Sequence, residues 1–266
     1  MSSDYADCLA LSDSLRRSVF GSIVDALGFP GGSRGLDAGC GIGTHVMLLA
    51  RAVGPDGHVT GLDAAPEFLE LAHQAAEEQG LSGRVSFREG DVNHLPFDDD
   101  EFDWAWSSDC VGYPAAGPRS GPKELARVVR PGGTVAILGW SSQQLLPGYF
   151  MLEARLNAAA SGYAAPLRGA EPEQHFMRAM GWFREAGLHD VMARTFVGEV
   201  RAPLSDDIKK ALVSLFQMCW VDVETALTAE DLAEYRRLCL PDSPDFILNV
   251  PDYYAFFTYT LFCGTV

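Results

Sequence analysis

Residues Gly35–His45 read GLDAGCGIGTH, four glycines in eleven residues, with Asp37 two positions before the first glycine of GCGIG. Glycine-rich turns that follow a strand commonly cradle phosphate, because backbone N–H groups and the start of the next helix favour an anion there. The dinucleotide form of such a turn is GxGxxG. Here the glycines are Gly39, Gly41 and Gly43, and Thr44 stands where the third fingerprint glycine would fall. Asp37 argues against phosphate independently. A carboxylate beside a dianionic pyrophosphate in a partly buried pocket costs on the order of several kcal/mol. The turn therefore needs a ligand that is not polyanionic.

Outward from this turn, short β-rich runs alternate with amphipathic helical ones from about residue 34 to 140. RGLDAG is a strand running into the turn, THVMLLARAVG a helix closed by Gly54, and HVTGLDA a second strand. APEFLELAHQAAEEQGL reads as a helix with Pro66 in its first turn, Gly80 after its end, and Phe68, Leu71, Ala72, Ala75 and Ala76 on one apolar face. RVSFREGDV and FDWAWSSD are further strands, GPKELARVVRPGG a helix stopped by Pro131 and Gly132, and TVAILGW a fifth strand. This alternation predicts a doubly wound α/β sheet with its ligand at the carboxyl ends of the strands. Beyond residue 140, PGYFMLEARLNAAAS, EQHFMRAMGWFREAGL and residues 204–240 read as helical. Two more strands are expected near 189–201 and 254–265, making seven with a helical lid or insertion before the last. The expected organisation is an N-terminal helical segment over 1–33, an α/β core over 34–140, and lid helices with the final strands over 141–266, all in one domain.

Composition narrows the partners. Hydrophobic residues make up 47% of the chain and charged ones 21%, a globular balance rather than a disordered one. Thirty-six acidic against twenty basic residues leave a formal charge of −16, and no basic run is longer than RR or KK. Nucleic acid and anionic membranes both need clustered positive charge, so neither is an expected partner. Cys8, Cys40, Cys110, Cys219, Cys239 and Cys263 are scattered, with no CxxC pair or metal-ligand spacing, so no metal site is expected. Buried thiols, the lack of a signal design at the N-terminus and the lack of a membrane-length apolar run point to the cytoplasm.

The ordered motifs resemble the class I S-adenosylmethionine-dependent methyltransferases, in the broad subgroup of ubiquinone, menaquinone and small-molecule methyltransferases. LDAGCGIGTH is similar to that family's first motif, VTGLDAAPEFLELA to its acidic second-strand ending, VSFREGDVNHLPF to its third and FDWAWSSDCVGY to its fourth; ELARVVRPGGTVAILGW is similar to the helix and strand that follow. S-adenosylmethionine has no phosphate and carries an ammonium and a sulfonium, which suits Asp37. The resemblance implies that Gly39, Gly41 and Gly43 let the backbone approach this cofactor and that Asp37 favours its ammonium. Asp63 would take the ribose hydroxyls, Ala64 leave room for adenine, Asp91 and Val92 recognise the adenine ring, and Ser107 complete the cofactor set. The residues themselves leave other readings open: a helix N-cap for Asp63, a turn residue for Asp91, and for His45 either the methionine end or the surface.

Methyl transfer from a sulfonium is an in-line displacement, so the main demand is alignment and exclusion of water, with a general base where the nucleophile is a hydroxyl or an enolisable carbon. Where the family often carries a histidine pair after the fourth strand, Gly112 and Tyr113 stand instead. Catalytic candidates are therefore Tyr113, His175 and Glu171, with Tyr149, Glu153 and Trp182 on the expected lid. Each also has a packing reading. The aromatic later half suits an apolar or aromatic small-molecule acceptor, such as a prenyl or polyketide-like product of secondary metabolism. Two other classes stay open: an enzyme of the same fold that uses the cofactor as a charged scaffold for cyclisation or decarboxylation, and a catalytically silent interaction subunit.

Overall fold

The computed structural model describes residues 3–112, 121–159, 175–220, 223 and 226–266, with side chains from residue 6 onward. A 25-residue helix, α1 (Ser3–Leu27), is closed by Gly28 at φ +59°. It leads into β1 (Arg34–Ala38), the glycine turn and α2 (Thr44–Ala52). There follow β2 (His58–Asp63), α3 (Pro66–Glu78), β3 (Val85–Glu89), β4 (Phe102–Ser108) and α4 (Gly121–Val128). The later elements are β5 (Val129–Gln144), α5 (Phe150–Ala159), a 3-10 turn at Phe176–Arg178, α6 (Ala179–Glu185), β6 (His189–Arg201), α7 (Asp206–Cys219), α8 (Ala229–Cys239) and β7 (Tyr254–Thr265).

The seven strands run in the order β3-β2-β1-β4-β5-β7-β6. Pairs β1–β2, β1–β4, β2–β3 and β4–β5 are parallel. The order turns back at β1, whose neighbours are β2 and β4, so the loops leaving β1 and β4 lie side by side at the ligand-binding end of the sheet. This is the doubly wound seven-stranded arrangement that the alternation predicts.

Three local readings differ. The apolar face of α3 is Phe68, Leu69, Ala72 and Ala76, while Leu71 is exposed. The α3 terminus is as expected: Gly80 N bonds Glu77 O and Leu81 N bonds Ala76 O, a Schellman-type close. The helix predicted to stop at Pro131 ends at Val128, and β5 begins at once, longer than TVAILGW at both ends. Its early residues are held from the chain's far end, where Gly132 N bonds Val266 O and Val266 N bonds Gly133 O. Among the described residues, the stretch 204–240 holds two helices, α7 and α8, N-capped by Ser205 and Thr228.

By contacts the chain divides into two compact units. One comprises Val19–Trp140, Glu171–Phe196 and Tyr259–Val266, and its core includes Leu36, Leu62, Phe102, Ala105, Val135, Ile137 and Phe183, all closed to solvent. The other comprises Met1–Ser18, Ser141–Ala170 and Val197–Thr258. There Tyr253 donates to Leu145 O, Trp220 Nε1 donates to Asn157, and Arg155 pairs with Asp231 at 2.7 Å. Among the described residues no helix is long and apolar enough to cross a membrane.

Candidate functional site

The turn after β1 is held from β2. Gly39 N and Cys40 N both bond Leu62 O, at 2.7 and 2.9 Å. Gly39, Gly41 and Gly43 all have positive φ, +84°, +52° and +81°, a region other residues seldom enter. The room that a β-carbon would need is taken by protein. At Gly39 it would overlap Cys110, and at Gly43 it would lie 2.8 Å from Ala72 Cβ. Gly39 and Gly43 are thus required by the turn's own packing as well as by any ligand.

Asp37, the last but one residue of β1, is entirely buried, and neither carboxylate oxygen has a hydrogen-bond partner. Burial and then the charge of Asp63 push its carboxyl up to about 8. Asp63 ends β2 and ties the two loops together: Oδ2 accepts from Gly41 N at 2.8 Å and Oδ1 from Ala65 N at 3.0 Å. The N-cap of α3 is Ala65, with no side-chain cap, so Asp63 is not the helix cap. Ala64 beside it is exposed.

Asp91 is exposed and makes a local turn, accepting from Asn93 N at 2.8 Å and Asn93 Nδ2 at 3.0 Å. The backbone bond from Asn93 is the main cause that holds its carboxyl below the usual range. Val92 is buried. Ser107 has no exposure: its hydroxyl donates to Ala38 O at 2.8 Å and accepts from Val111 N at 3.1 Å, joining β1, β4 and the turn after β4. That is a positioning arrangement rather than a ligand-contacting one.

Of the catalytic candidates, Tyr113 and Glu171 lie outside the described residues. His175 starts the 3-10 turn, where its Nδ1 accepts from Met177 N at 3.2 Å and its ring stacks on Phe176. The nitrogen engaged in that cap is not free to take a substrate proton. Glu153 is spent in the other unit on Leu145 N, Leu146 N and Gln144 Nε2.

The residues missed from sequence are those just past β4. Asp109 has φ +51°, and its Oδ1 accepts from Trp140 N at 2.9 Å and its Oδ2 from Tyr259 Oη at 2.8 Å. Beside it, Cys110 packs on Gly39, and its thiol is pushed up to about 12, chiefly by burial. His45, in the first turn of α2, stacks on Phe20 of α1 at 4.2 Å, with Trp106 and Tyr259 packed around Phe20. An aspartate closing a strand within SSDCVG was the available signal for Asp109. Nothing local marks Tyr259 as its partner. Among the described residues no cluster of three or more His, Cys, Asp or Glu stands ready to hold a metal ion.

Comparison with known proteins agrees with this fold. A family model described as a methyltransferase domain matches residues 36–133. Demethylmenaquinone methyltransferase of Bacillus subtilis (strain 168) is 31% identical over 188 residues, covering 64% of this chain and 77% of the relative. The crystal structure of the Bacillus subtilis YcgJ protein matches with a TM-score of 0.57 at 19% identity, covering 94% of this chain and 98% of that one. A SAM-dependent methyltransferase from Aquifex aeolicus matches with a TM-score of 0.55 at 16% identity, covering 98% and 97%. The two structures speak for the fold, and the sequence relative for the family. The chain belongs to the class I S-adenosylmethionine-dependent methyltransferases, and it is a methyltransferase whose cofactor is S-adenosylmethionine.

Proposed function

We propose that the enzyme methylates carbon or oxygen of a small, mostly apolar or aromatic metabolite, in the cytoplasm and in secondary metabolism. The observation that carries the site reading is Asp37, a fully buried carboxyl without a partner, beside the turn that Asp63 fastens. A buried carboxyl without a partner suits a cationic ligand group, which favours its ionised form, and offers phosphate no such gain. On this reading Asp37 accepts from the cofactor's ammonium, and the backbone of Gly39, Gly41 and Gly43 runs along the cofactor. Asp63 accepts from the ribose hydroxyls, Ala64 leaves space for adenine, and Asp91 with Val92 meets the adenine edge. Ser107 holds β4 against β1.

When bound, the cofactor supplies an electrophilic methyl carbon on a sulfonium. The chain's own task is to align the acceptor and keep water out. Where the acceptor presents a hydroxyl or an acidic C–H, a general base within hydrogen-bond reach takes the proton, while Asp109, whose two oxygens accept from Trp140 N and Tyr259 Oη, holds the turn after β4 in place. The acceptor class is supported by the aromatic content of the chain and by a relative whose printed name is demethylmenaquinone methyltransferase. The test is incubation with S-adenosylmethionine and a panel of hydroxylated and prenylated aromatics. A product heavier by one methyl group, with an equal amount of S-adenosylhomocysteine, supports the proposal. No methylated product across the panel would overturn the acceptor class.

A further inference from the structure

Tyr259 of β7 is linked to both ends of the glycine turn, and every residue in the two links lies in the unit that carries the turn. One link leaves from the hydroxyl. It donates to Asp109 Oδ2 at 2.8 Å, and Cys110, the next residue, fills the space that a β-carbon on Gly39 would need. Cys110 is fixed from its other side as well, because Val111 N donates to Ser107 Oγ, which in turn donates to Ala38 O just before Gly39. The other link leaves from the ring. Tyr259 meets Phe20 edge-on at 4.7 Å, and Phe20 stacks at 4.2 Å and 14° on His45, two residues beyond Gly43. Tyr259 and Phe20 are 1% and 2% exposed, so neither link runs through solvent.

A close-packed interior passes a displacement from one side chain to the next, because a gap or an overlap of a fraction of an ångström costs contact energy on both sides. Gly39, Gly41 and Gly43 have no side chains with which to hold their own positive-φ backbone in place. The turn is therefore held from outside. Bonds to Leu62 O and Asp63 fix it toward β2, and the two links from Tyr259 bear on it through the turn after β4 and through α1. We propose that Tyr259 is a positioning residue for the cofactor: its hydroxyl, through Asp109 and Cys110, and its ring, through Phe20 and His45, set the place of the two ends of the glycine turn. The role rests on the reading that the turn runs along S-adenosylmethionine, and Tyr259 acts without touching that ligand. The links are chemically separable, since phenylalanine keeps the ring and loses the hydroxyl while leucine loses both.

S-adenosylmethionine affinity is measured by calorimetry for the wild type, Tyr259→Phe, Tyr259→Leu and Asp109→Gly, each at a temperature where thermal melting shows it fully folded. A residue that only adds global stability leaves the affinity of the folded protein unchanged. The positioning role predicts a loss of about threefold to tenfold in Tyr259→Phe and a larger one in Tyr259→Leu. Glycine at position 109 accepts the φ of +51° without strain and deletes the carboxylate. Asp109→Gly should therefore weaken binding at least as much as Tyr259→Phe, and adding Tyr259→Phe to it should have no further effect. If Tyr259→Leu does not fold, Tyr259→Phe and Asp109→Gly carry the decision. Unchanged affinity in Tyr259→Phe, or losses that multiply when it is combined with Asp109→Gly, would overturn the role. Asp63→Ala, which removes the turn's bond from Gly41 N, tells which reading has failed. Wild-type affinity in Asp63→Ala would remove the turn as the cofactor site and the positioning role with it; a weakened Asp63→Ala beside an unaffected Tyr259→Phe would remove the role alone.

Discussion

Tyr259 Oη donates to Asp109 Oδ2 at 2.8 Å, fastening the first residue after β4 to one 150 positions further along the chain. Asp109 needs such fastening. Its φ of +51° is a left-handed conformation that costs a non-glycine residue on the order of 1–2 kcal/mol. Trp140 N and Tyr259 Oη hold the side chain, and Asp109 N bonds Leu138 O. Tyr259→Phe leaves Asp109 Oδ2 without this donor and is expected to cost about 1–3 kcal/mol, the range for a buried polar group that loses its partner. It would be read as a lower urea midpoint at unchanged slope. A midpoint equal to the wild type would show that the bond adds nothing to the fold.

Gly39→Ala combines a positive φ with an overlap against Cys110. The backbone term alone is about 1–3 kcal/mol, and the overlap adds to it. Loss of S-adenosylmethionine binding together with a lowered melting temperature is expected. The double variant Gly39→Ala/Cys110→Gly should recover part of the stability, because the overlap goes and the strained φ stays. No difference between the single and double variants would contradict the packing account.

The Asp37 carboxyl, raised to about 8 by burial and then by Asp63, is mostly protonated at pH 7 in the cofactor-free protein. The folded state holds this proton more tightly than the unfolded state. The associated stability is therefore complete below the ordinary aspartate value of about 3.9 and is lost as pH rises through about 8. Relative to Asp37→Asn, the wild type should lose stability between about pH 5 and 8. An ammonium partner favours the ionised form, so binding S-adenosylmethionine at pH 7 should release a proton. Calorimetry in buffers of different ionisation enthalpy measures that proton, and Asp37→Asn should release none. Equal proton counts for the two proteins would remove Asp37 from the ammonium site.

Much of this was readable in advance. Gly39, Gly41 and Gly43 after an apolar run, Asp63 at the next strand's end, and Pro66 with Gly80 bracketing a helix are local signals, and local chemistry acts on them wherever the rest of the chain lies. The start of β5 was not readable in that way. Pro131 and Gly132 look like a stop signal until Val266, from the other end of the chain, supplies the pairing. The same holds for Trp106, whose alternation marks a strand but whose neighbour Asp37 is fixed only by the β1–β4 register. His175 shows the converse limit: a histidine before a short helical turn has a local use as a cap, which its residue type alone does not reveal.

In the other unit, Glu153 is 2% exposed and accepts from Leu145 N at 2.7 Å, Leu146 N at 2.8 Å and Gln144 Nε2 at 2.6 Å. Burial raises its carboxyl above the ordinary glutamate range even though these three bonds oppose the shift. Its favourable contribution is therefore largest in acid and declines as pH climbs past that range. Glu153→Ala strands two buried backbone N–H groups and should cost about 2–5 kcal/mol. Glu153→Gln keeps an acceptor and should cost less, with the gap between the two variants seen in urea midpoints. Equal losses would mean that the two amides find other partners.

The most direct measurement is non-denaturing mass spectrometry of the purified protein, followed by calorimetric titration with S-adenosylmethionine and with NAD. The reading of GLDAGCGIGTH predicts retained or tightly bound S-adenosylmethionine or S-adenosylhomocysteine, no response to NAD, and loss of S-adenosylmethionine binding in Asp63→Ala. Binding of NAD without a response to S-adenosylmethionine would contradict it.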